Sequence, residues 1–205
     1  MNGLPHVELS FRISGQTLPA DHGYGLYSAL AHQEPALHQQ EWLSLQTITG
    51  IPDQQGKIHL TDKSRLRIRL PGDMVPLVYT LAGKQLTIGN HHIRLHIPQI
   101  FDLKPARKLR SRIVTIKKFQ EPETFLDAVK RQLNELGIQA TVAIPTNAKG
   151  EPDRKSIKIT RYAVVGFGLE VTDLRDEDSI KLQIFGLGGK RRMGCGVFVP
   201  MEVIL

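Results

Sequence analysis

Hydrophobic and polar residues follow two kinds of pattern along the chain, and together they divide it into two similar halves. In the first half, alternating apolar positions predict strands over residues 7–13, 42–49, 57–60, 65–70, 85–88 and 91–97. Apolar spacings of three and four predict helices over residues 24–32 and 73–81. In the second half the same rules predict strands over residues 111–117, 138–144, 157–160, 163–171 and 197–205, and helices over residues 121–136 and 176–185.

Each half has roughly the order strand, helix, two strands, helix, strand, which is the order of the ferredoxin-like fold. The clearest element is the helix over residues 121–136, because Pro122 suits its first turn and Gly137 ends it. We therefore predict an α+β protein of two tandem ferredoxin-like (RRM-like) domains, residues 1–98 and 99–205, with a glycine-rich loop before the last strand.

The bulk composition excludes several classes of protein. Of the 205 residues, 40% are hydrophobic and 23% are charged, which is typical of a globular protein. No apolar run approaches the roughly 18 residues that span a bilayer, and the N-terminal residues do not have the apolar core of a secretory signal. The single cysteine, Cys195, excludes an internal disulfide and fits a reducing compartment, so we expect a cytoplasmic protein. The histidines show no spacing typical of a zinc site, so neither a metal nor a cofactor is expected.

Positive charge is clustered along the chain. The formal net charge is +7, and a pI near 9.6 favours polyanionic partners. An alternating run places Arg65, Arg67 and Arg69 on one predicted strand face. Seven basic residues and no acidic one occupy residues 104–118, namely Lys104, Arg107, Lys108, Arg110, Arg112, Lys117 and Lys118. Basic strand faces suit nucleic acid better than a small phosphate ligand, although each face alone is as typical of a solvated surface.

The glycine-rich loop, residues 186–196, combines five glycines with three adjacent cations. Successive free N–H groups in such a turn can form an anion-binding concavity, so a phosphate-bearing partner is expected. A Walker-type loop is excluded because Ile184 and Arg191 stand where its first glycine and its Ser or Thr belong. The glycine motif of dinucleotide-binding proteins is excluded as well, because that motif opens a helix whereas this segment precedes a strand. Contact with a polyanion backbone remains, beside the plainer alternative of a flexible loop with solvated charges.

These features resemble the repeat-associated (RAMP) superfamily of CRISPR systems, and within it the endoribonuclease that cuts precursor CRISPR RNA inside its repeats. The glycine-rich loop before the last strand is typical of the superfamily, and a histidine at or just after the first helix is typical of the nuclease. The phrases Asp-His-Gly-Tyr, Pro-Ala-Leu-His and Gly-Gly-Lys-Arg-Arg-Met-Gly-Cys-Gly-Val-Phe look closest to the MYXAN-subtype variant. The resemblance covers essentially the whole chain.

The resemblance implies metal-independent RNA cleavage, in which the ribose 2′-hydroxyl attacks the adjacent phosphorus and leaves a 2′,3′-cyclic phosphate. Histidine suits either proton-transfer role because both of its forms are populated near neutral pH. His38 is the first candidate, since it follows the first helix where the family's Leu-His motif falls. His22 is the second, and is equally explained as a cap or a packing residue; His32 is the third. Tyr27 could assist catalysis, but is equally explained as a core residue.

The binding residues and the catalytic cation are less closely defined by the resemblance. Some relatives carry a lysine shortly after the histidine, whereas residues 39–52 contain no lysine or arginine. Arg12, the Arg65/Arg67/Arg69 face and the glycine-rich loop are the open sources of a cation, and catalysis by a correctly placed histidine alone is the remaining alternative. The predicted phosphate-binding residues are Lys190, Arg191 and Arg192, helped by Arg107, Arg110, Arg112, Lys117 and Lys118. Because only 6% of residues are aromatic, we expect recognition by shape and phosphate geometry rather than by base stacking.

The leading hypothesis is thus an endoribonuclease whose partner is CRISPR repeat RNA, both the precursor and the mature crRNA that it retains. Other subunits of a type I interference complex are further candidate partners. The alternative is a non-catalytic superfamily member that holds guide RNA within such a complex. A metabolic enzyme with a ferredoxin-like fold would need a cofactor or an acid/base cluster that the sequence does not show.

Overall fold

The computed structural model describes residues 5–147 and 149–201. The chain divides after Asp102 into two compact units. The strands of the first unit are β1 (His6–Gly15), β2 (Thr17–Pro19), β3 (Ser44–Gln46), β4 (Ile51–Pro52), β5 (Lys57–His59), β6 (Arg65–Pro71), β7 (Gln85–Ile88) and β8 (His91–Asp102). Its helices are α1 (Gly23–Gln33) and α2 (Val75–Tyr79), with 3-10 turns at Pro35–Leu37 and Gly72–Met74.

The main sheet of the first unit is antiparallel, with the strand order β3-β6-β1-β8-β7. Its first four strands have the ferredoxin-like order, and β7 adds one strand at the edge. The predicted strand over residues 57–60 is present as β5, but it pairs with β2 and β4 in a separate small sheet. The sequence pattern did not indicate β2 and β4, because two or three residues are too few for alternation to be read. Strand β8 continues to Asp102, so the predicted boundary at residue 98 falls inside it.

The second unit repeats the ferredoxin-like arrangement. Its strands are β9 (Leu109–Val114), β10 (Thr141–Ala143), β11 (Arg154–Ile159), β12 (Tyr162–Thr172) and β13 (Val199–Pro200), and its helices are α3 (Pro122–Glu135) and α4 (Asp176–Phe185). The order is β10-β12-β9-β13, and β11 pairs along the same β12 strand as β10 does. The predicted last strand is observed only as β13, and residues 202–205 lie outside the described residues. The α+β class and the tandem ferredoxin-like order are thus confirmed.

Helix α3 shows why the second unit folds as its sequence predicts. Pro122 occupies the first turn, and Gly137 ends the helix with φ +67°. Phe125 and Val129, spaced by four residues, are fully buried against the sheet. The ring of Phe125 lies 5.0 Å from that of Phe167 on β12, tilted by 55°, a favourable arrangement for two aromatic rings.

A buried ion pair crosses the centre of the first sheet. Glu8 on β1 lies directly opposite Arg69 on β6, with 3.1 Å between the carboxylate Oε2 and the guanidinium NH2. The Arg69 side chain is only 2% exposed. Burial lowers the pKa of Arg69, and the charge and hydrogen bond of Glu8 oppose that shift. Gln46 on β3 also donates to the Glu8 carboxylate, so three strands meet at this residue.

Removing the carboxylate of Glu8 should leave the Arg69 charge buried without its partner. We expect Glu8→Gln to lower the free energy of unfolding by about 3 kcal/mol, and Arg69→Met in the same chain to restore most of that loss. The fluorescence of Trp42, the single tryptophan, follows unfolding of this unit in urea. Arg67→Met is the matched control, because Arg67 is 49% exposed and 3.8 Å from Glu8; its cost should stay below about 1 kcal/mol. Equal losses for Glu8→Gln and Arg67→Met would contradict the assignment.

Candidate functional site

His38 lies just beyond the first helix, on a turn that the sequence dictates. A proline disfavours helical backbone in the residue before it, and Glu34 is accordingly extended at φ −137° and ψ 91°. The 3-10 turn Pro35–Leu37 follows, anchored by the fully buried Leu37 side chain. The backbone N–H of His38 donates to the carbonyl of Pro35 at 2.9 Å. The imidazole of His38 is exposed at the end of this turn, where it can meet a macromolecule.

Tyr27 contacts both the His38 imidazole and the residue that follows it. Its hydroxyl accepts a hydrogen bond of 2.9 Å from the backbone N–H of Gln39. Gln39 has a left-handed backbone, φ +62°, which is uncommon for a residue with a side chain. The rings of Tyr27 and His38 are nearly parallel, at 16°, with 6.4 Å between their centroids. Tyr27 is 8% exposed and therefore belongs to the core, which was one of the two alternatives that the sequence left open. It also contacts His38, the first catalytic candidate.

His22 has a different environment, which argues against the predicted role in proton transfer. The side chain is 2% exposed. Its Nε2 accepts a hydrogen bond of 3.0 Å from the backbone N–H of Ile48, so its Nδ1 carries the proton and donates to the carbonyl of Pro19 at 2.8 Å. Both ring nitrogens are thereby used to join two backbone segments. The packing alternative for this residue fits the geometry better, and it does not cap helix α1 with its side chain.

The predicted basic face of β6 is only partly exposed. Leu66, Ile68 and Leu70 are buried as the alternation predicts. Arg69, however, is buried against Glu8, and Arg67 lies near the same carboxylate. The NH1 group of Arg65 donates to the carbonyl oxygens of Asp62 and Ser64 at 2.6 and 2.9 Å. Arg69 is therefore not exposed for RNA binding, because alternation does not reveal which polar residue meets a carboxylate. RNA binding by Arg65 and Arg67 stays a prediction.

The glycines of the loop over residues 186–196 pack against the protein's own backbone. A Cβ on Gly186, Gly188 or Gly196 would lie 2.2, 2.4 or 2.0 Å from a backbone carbonyl oxygen. All three have positive φ, between +61° and +70°. Gly189 differs, since its Cβ position is open for 4 Å. Close approach is thus the reason for most of these glycines, but the approaching groups are carbonyls of the loop itself and of Thr115, just beyond β9.

Most loop N–H groups are already used within the protein. The N–H of Leu187 donates to the Gly196 carbonyl at 3.3 Å, and that of Gly188 donates to Gln132 Oε1 at 2.7 Å. The N–H of Gly189 donates to the Thr115 carbonyl at 2.9 Å, and that of Gly196 donates to the Ile113 carbonyl at 2.8 Å. Those of Met193, Gly194 and Cys195 donate to the carbonyls of Lys190 and Arg191. The predicted concavity of successive free N–H groups is therefore wrong at these positions. These N–H groups are therefore not available for phosphate, and the side chains of the loop are its main candidates for phosphate binding.

The three loop cations differ in their surroundings. The Lys190 side chain is exposed, whereas Arg191 and Arg192 are partly buried. The NH1 group of Arg191 donates at 2.9 Å to the carbonyl of Ile184, in the last turn of α4, where a cation also balances the helix dipole. Arg191 thus has a structural role that the sequence did not indicate.

The seven basic residues between 104 and 118 are all exposed, and they lie before, on and beyond strand β9. Arg107 and Lys108 precede β9, and their positive charges act on the Asp173 carboxylate. A hydrogen bond from Thr141 is the main cause that lowers the pKa of Asp173, and the two charges lower it further. Arg110 on β9 lies opposite Glu170 in the sheet. Beyond β9, the segment after Thr115 carries Lys117 and Lys118.

Lys117 and Lys118 share a groove with the glycine-rich loop. This basic groove encloses about 650 Å³, and its lining includes Thr115, Lys117, Lys118, Tyr162, Gly189 and Lys190. Thr115 joins its two sides, because its carbonyl accepts from the Gly189 N–H and its hydroxyl donates to the Gly189 carbonyl. The sequence did not indicate Tyr162, since a single aromatic at a strand start is ordinarily structural.

The described residues thus form two ferredoxin-like units in tandem, with the glycine-rich loop before the last strand. Comparison with known proteins agrees: the model of the Cas6 family (Cas6 Crispr) matches residues 7–203. The chain is 34% identical over 199 residues to the CRISPR-associated endonuclease Cas6 of Myxococcus xanthus, covering 97% of this chain and 83% of that protein. The chain therefore belongs to the Cas6 family and is a CRISPR-associated endonuclease, which confirms the resemblance inferred from its sequence.

Solved structures share the fold at low sequence identity. A Cas6-related protein from Pyrococcus furiosus is 14% identical, with a TM-score of 0.69 over 96% of this chain and 99% of that one. A RAMP protein described as binding different RNA substrates is 15% identical, with a TM-score of 0.64 over the same shares. None of the described helices has the length and hydrophobicity to cross a membrane. Within the described residues, no group of three or more His, Cys, Asp and Glu side chains could hold a metal ion.

The packing of the glycine-rich loop predicts which of its glycines can be replaced. Gly196→Ala puts a methyl group 2.0 Å from the Leu187 carbonyl oxygen at a φ of +66°, so it should cost more than about 2 kcal/mol of unfolding free energy. Gly189→Ala meets open space and should cost less than about 0.5 kcal/mol. Urea unfolding followed by circular dichroism measures both. Similar losses for the two variants would show that the loop is not packed as described.

Proposed function

We propose that this protein cleaves precursor CRISPR RNA within its repeats, without a metal ion, and that His38 transfers a proton in that reaction. The observation that carries the proposal is the exposed His38 imidazole, held beside Tyr27 on an ordered turn, in a member of an endonuclease family. The 2′-hydroxyl of one ribose loses its proton and attacks the adjacent phosphorus. The bond to the 5′-oxygen breaks, that oxygen gains a proton, and a 2′,3′-cyclic phosphate remains.

Tyr27 serves the proposed reaction as a positioning residue. Its hydroxyl accepts the Gln39 N–H, which fixes the peptide immediately after His38. Its ring limits the orientations of the imidazole, because the two rings lie nearly parallel. Catalytic groups need such support, since small displacements of a proton-transfer group cost much of its effect.

His22 supports the site from further away. By bonding both Pro19 and Ile48, it fixes the backbone that leads into α1 relative to the segment after β3. Helix α1 carries Tyr27 and ends at the His38 turn. We therefore assign proton transfer to His38 and a structural role to His22.

Charge that builds on the phosphoryl oxygens needs a cation. Among the alternatives in the first unit, Arg69 is buried against Glu8, and Arg65 donates to backbone carbonyls. Arg67 is half exposed and lies 3.8 Å from the same carboxylate. The Arg12 side chain is exposed, and no ion pair joins it to a carboxylate among the described residues. We propose Arg12 for this role.

RNA binding by the second unit is proposed to rest on exposed lysines. Lys117, Lys118 and Lys190 line the basic groove, whereas Arg107, Lys108 and Arg110 face acidic neighbours. Contacts of this kind position the RNA without reading its sequence. Retention of the mature crRNA and docking with other subunits of a type I interference complex complete the proposal.

The role of His38 is tested with repeat RNA from the protein's own genomic neighbourhood, labelled and incubated in EDTA. We expect wild type to make one cut that leaves a cyclic phosphate. His38→Ala should reduce the cleavage rate by at least about 100-fold, the scale of general acid–base catalysis, with its Kd within a few-fold of wild type. The control is His32→Ala, because His32 is also exposed but lies on α1; it should cut at the wild-type rate.

Other outcomes of this assay are equally informative. Cleavage that persists in His38→Ala would contradict the assignment of His38. Tight binding by wild type without any cut would instead favour the non-catalytic guide-holding function. A requirement for added metal would contradict the proposed chemistry while leaving the family unchanged.

The lysines are tested by the dependence of RNA affinity on salt. Replacing Lys117, Lys118 and Lys190 together by Ala should weaken binding and lower the slope of log Kd against log salt by about two to three units, roughly 0.7–1 per lost phosphate contact. Lys130→Ala is the control, because Lys130 is exposed on α3 and lies 3.9 Å from Asp127. An unchanged slope in the triple variant would remove the basic groove from the RNA-binding surface.

A further inference from the structure

The basic groove has features that phosphate binding alone does not use. Its volume of about 650 Å³ is within the range of pockets that enclose small ligands. Three lysines line it, and none of its described lining residues is acidic. Its other lining is apolar or amide-bearing, including Val164, Val165, Gln120 and Gln132. A surface that only neutralised phosphates would need neither a depression of this size nor an apolar wall.

The lysines of the groove are held on ordered backbone. Lys118 and Lys190 both have left-handed backbones, with φ of +75° and +67°, which are uncommon for residues with side chains. The segment that carries Lys118 is fixed by Phe119, whose ring lies 5.1 Å below the guanidinium of Arg131 on α3. Gln132 is fixed as well, because its Oε1 accepts the Gly188 N–H and its NH2 group remains as a donor.

Tyr162 supplies an aromatic face to the same groove. It is the first residue of β12 and pairs with Ile159 across the hairpin that joins β11 to β12. Its side chain is 52% exposed, and the next residues, Ala163 and Val164, also line the groove. An exposed ring beside cations is the arrangement on which an unpaired base stacks while its phosphates are bound.

We propose that the basic groove binds one unpaired nucleotide of the RNA, with its base stacked on Tyr162 and its flanking phosphates on Lys117, Lys118 and Lys190. This inference rests on the proposed function, because it deepens the RNA contact of the same unit. A phosphorylated protein segment would match the lysines, but it would leave the aromatic face and the amide donors unused. Tyr162 thus adds a contact that depends on where the RNA is unpaired, which phosphate contacts cannot provide.

The test measures Kd for repeat RNAs in which one nucleotide at a time is made abasic. Tyr162→Ala should weaken binding of intact RNA by between about 5- and 150-fold, the range for loss of one base–aromatic stack, with an unchanged salt slope. Tyr162→Phe keeps the ring and should bind within about two-fold of wild type. One abasic position should weaken wild-type binding by the same factor and leave Tyr162→Ala unaffected.

Tyr79→Ala is the matched control, because Tyr79 is 45% exposed on α2 in the other unit; it should bind as wild type does. Wild-type affinity in Tyr162→Ala would overturn the proposal. So would an equal loss in Tyr162→Phe, or an abasic penalty that is the same in wild type and Tyr162→Ala at every position. A melting temperature equal to that of wild type identifies each loss as a binding effect.

A second RNA separates this proposal from the proposed function. The same variants are titrated with a single-stranded RNA of unrelated sequence that the enzyme has no reason to cleave. If wild type does not cut repeat RNA but Tyr162→Ala still loses affinity for the unrelated strand, the nucleotide site stands and the cleavage function fails. If wild type cuts repeat RNA and Tyr162→Ala binds both RNAs normally, the function stands and the nucleotide site fails. Absence of binding to both RNAs overturns both proposals.

Discussion

The second unit depends on hydrogen bonds between the backbone of its glycine-rich loop and the end of strand β9. The N–H groups of Gly189 and Gly196 donate to the carbonyls of Thr115 and Ile113, so the loop extends the bonding of a central strand. Buried backbone groups must be paired, and glycine at position 188 allows this approach, because a Cβ there would lie 2.4 Å from the Thr115 carbonyl oxygen. The basic groove follows from this constraint, because Thr115 holds Gly189 next to the segment that carries the groove's lysines.

In the first unit, too, buried polar groups are paired, but here the groups belong to side chains. His22 is buried because both of its ring nitrogens meet backbone partners, and Arg69 is buried because Glu8 is opposite. A buried polar group without a partner is costly, so these two residues order the segments around them. His38 and Tyr27 divide the work differently, since the tyrosine is buried and the histidine exposed. In the proposed reaction a proton-transfer group needs both access and a fixed orientation, which His38 and Tyr27 would supply separately.

Much of the fold could be predicted from the sequence, because burial imposes regular patterns on long elements. Helix α4 has the predicted bounds, and α1 and α3 differ from the prediction by about one residue at each end. Short elements were the exception. Strands β2 and β4 have too few residues to show alternation, and their pairing with β5 arises from tertiary contact. In the site, the position of His38 after the first helix could be predicted, whereas the hydrogen bond from Gln39 to Tyr27 could not.

The sequence by itself determined the ferredoxin-like order, the buried faces of the long elements, the excess of positive charge and the family. These properties depend on residue types and on their spacing along the chain, and the spacing of apolar residues follows directly from which face of an element is buried. The tertiary structure alone decided which polar residues are available to RNA. In the folded protein Arg69 pairs with Glu8, and His22 is hydrogen-bonded to the backbone. Most loop N–H groups bond within the protein, and Tyr162 lines the same groove as Lys190. Each of these depends on a partner distant in sequence, and no local pattern specifies that partner.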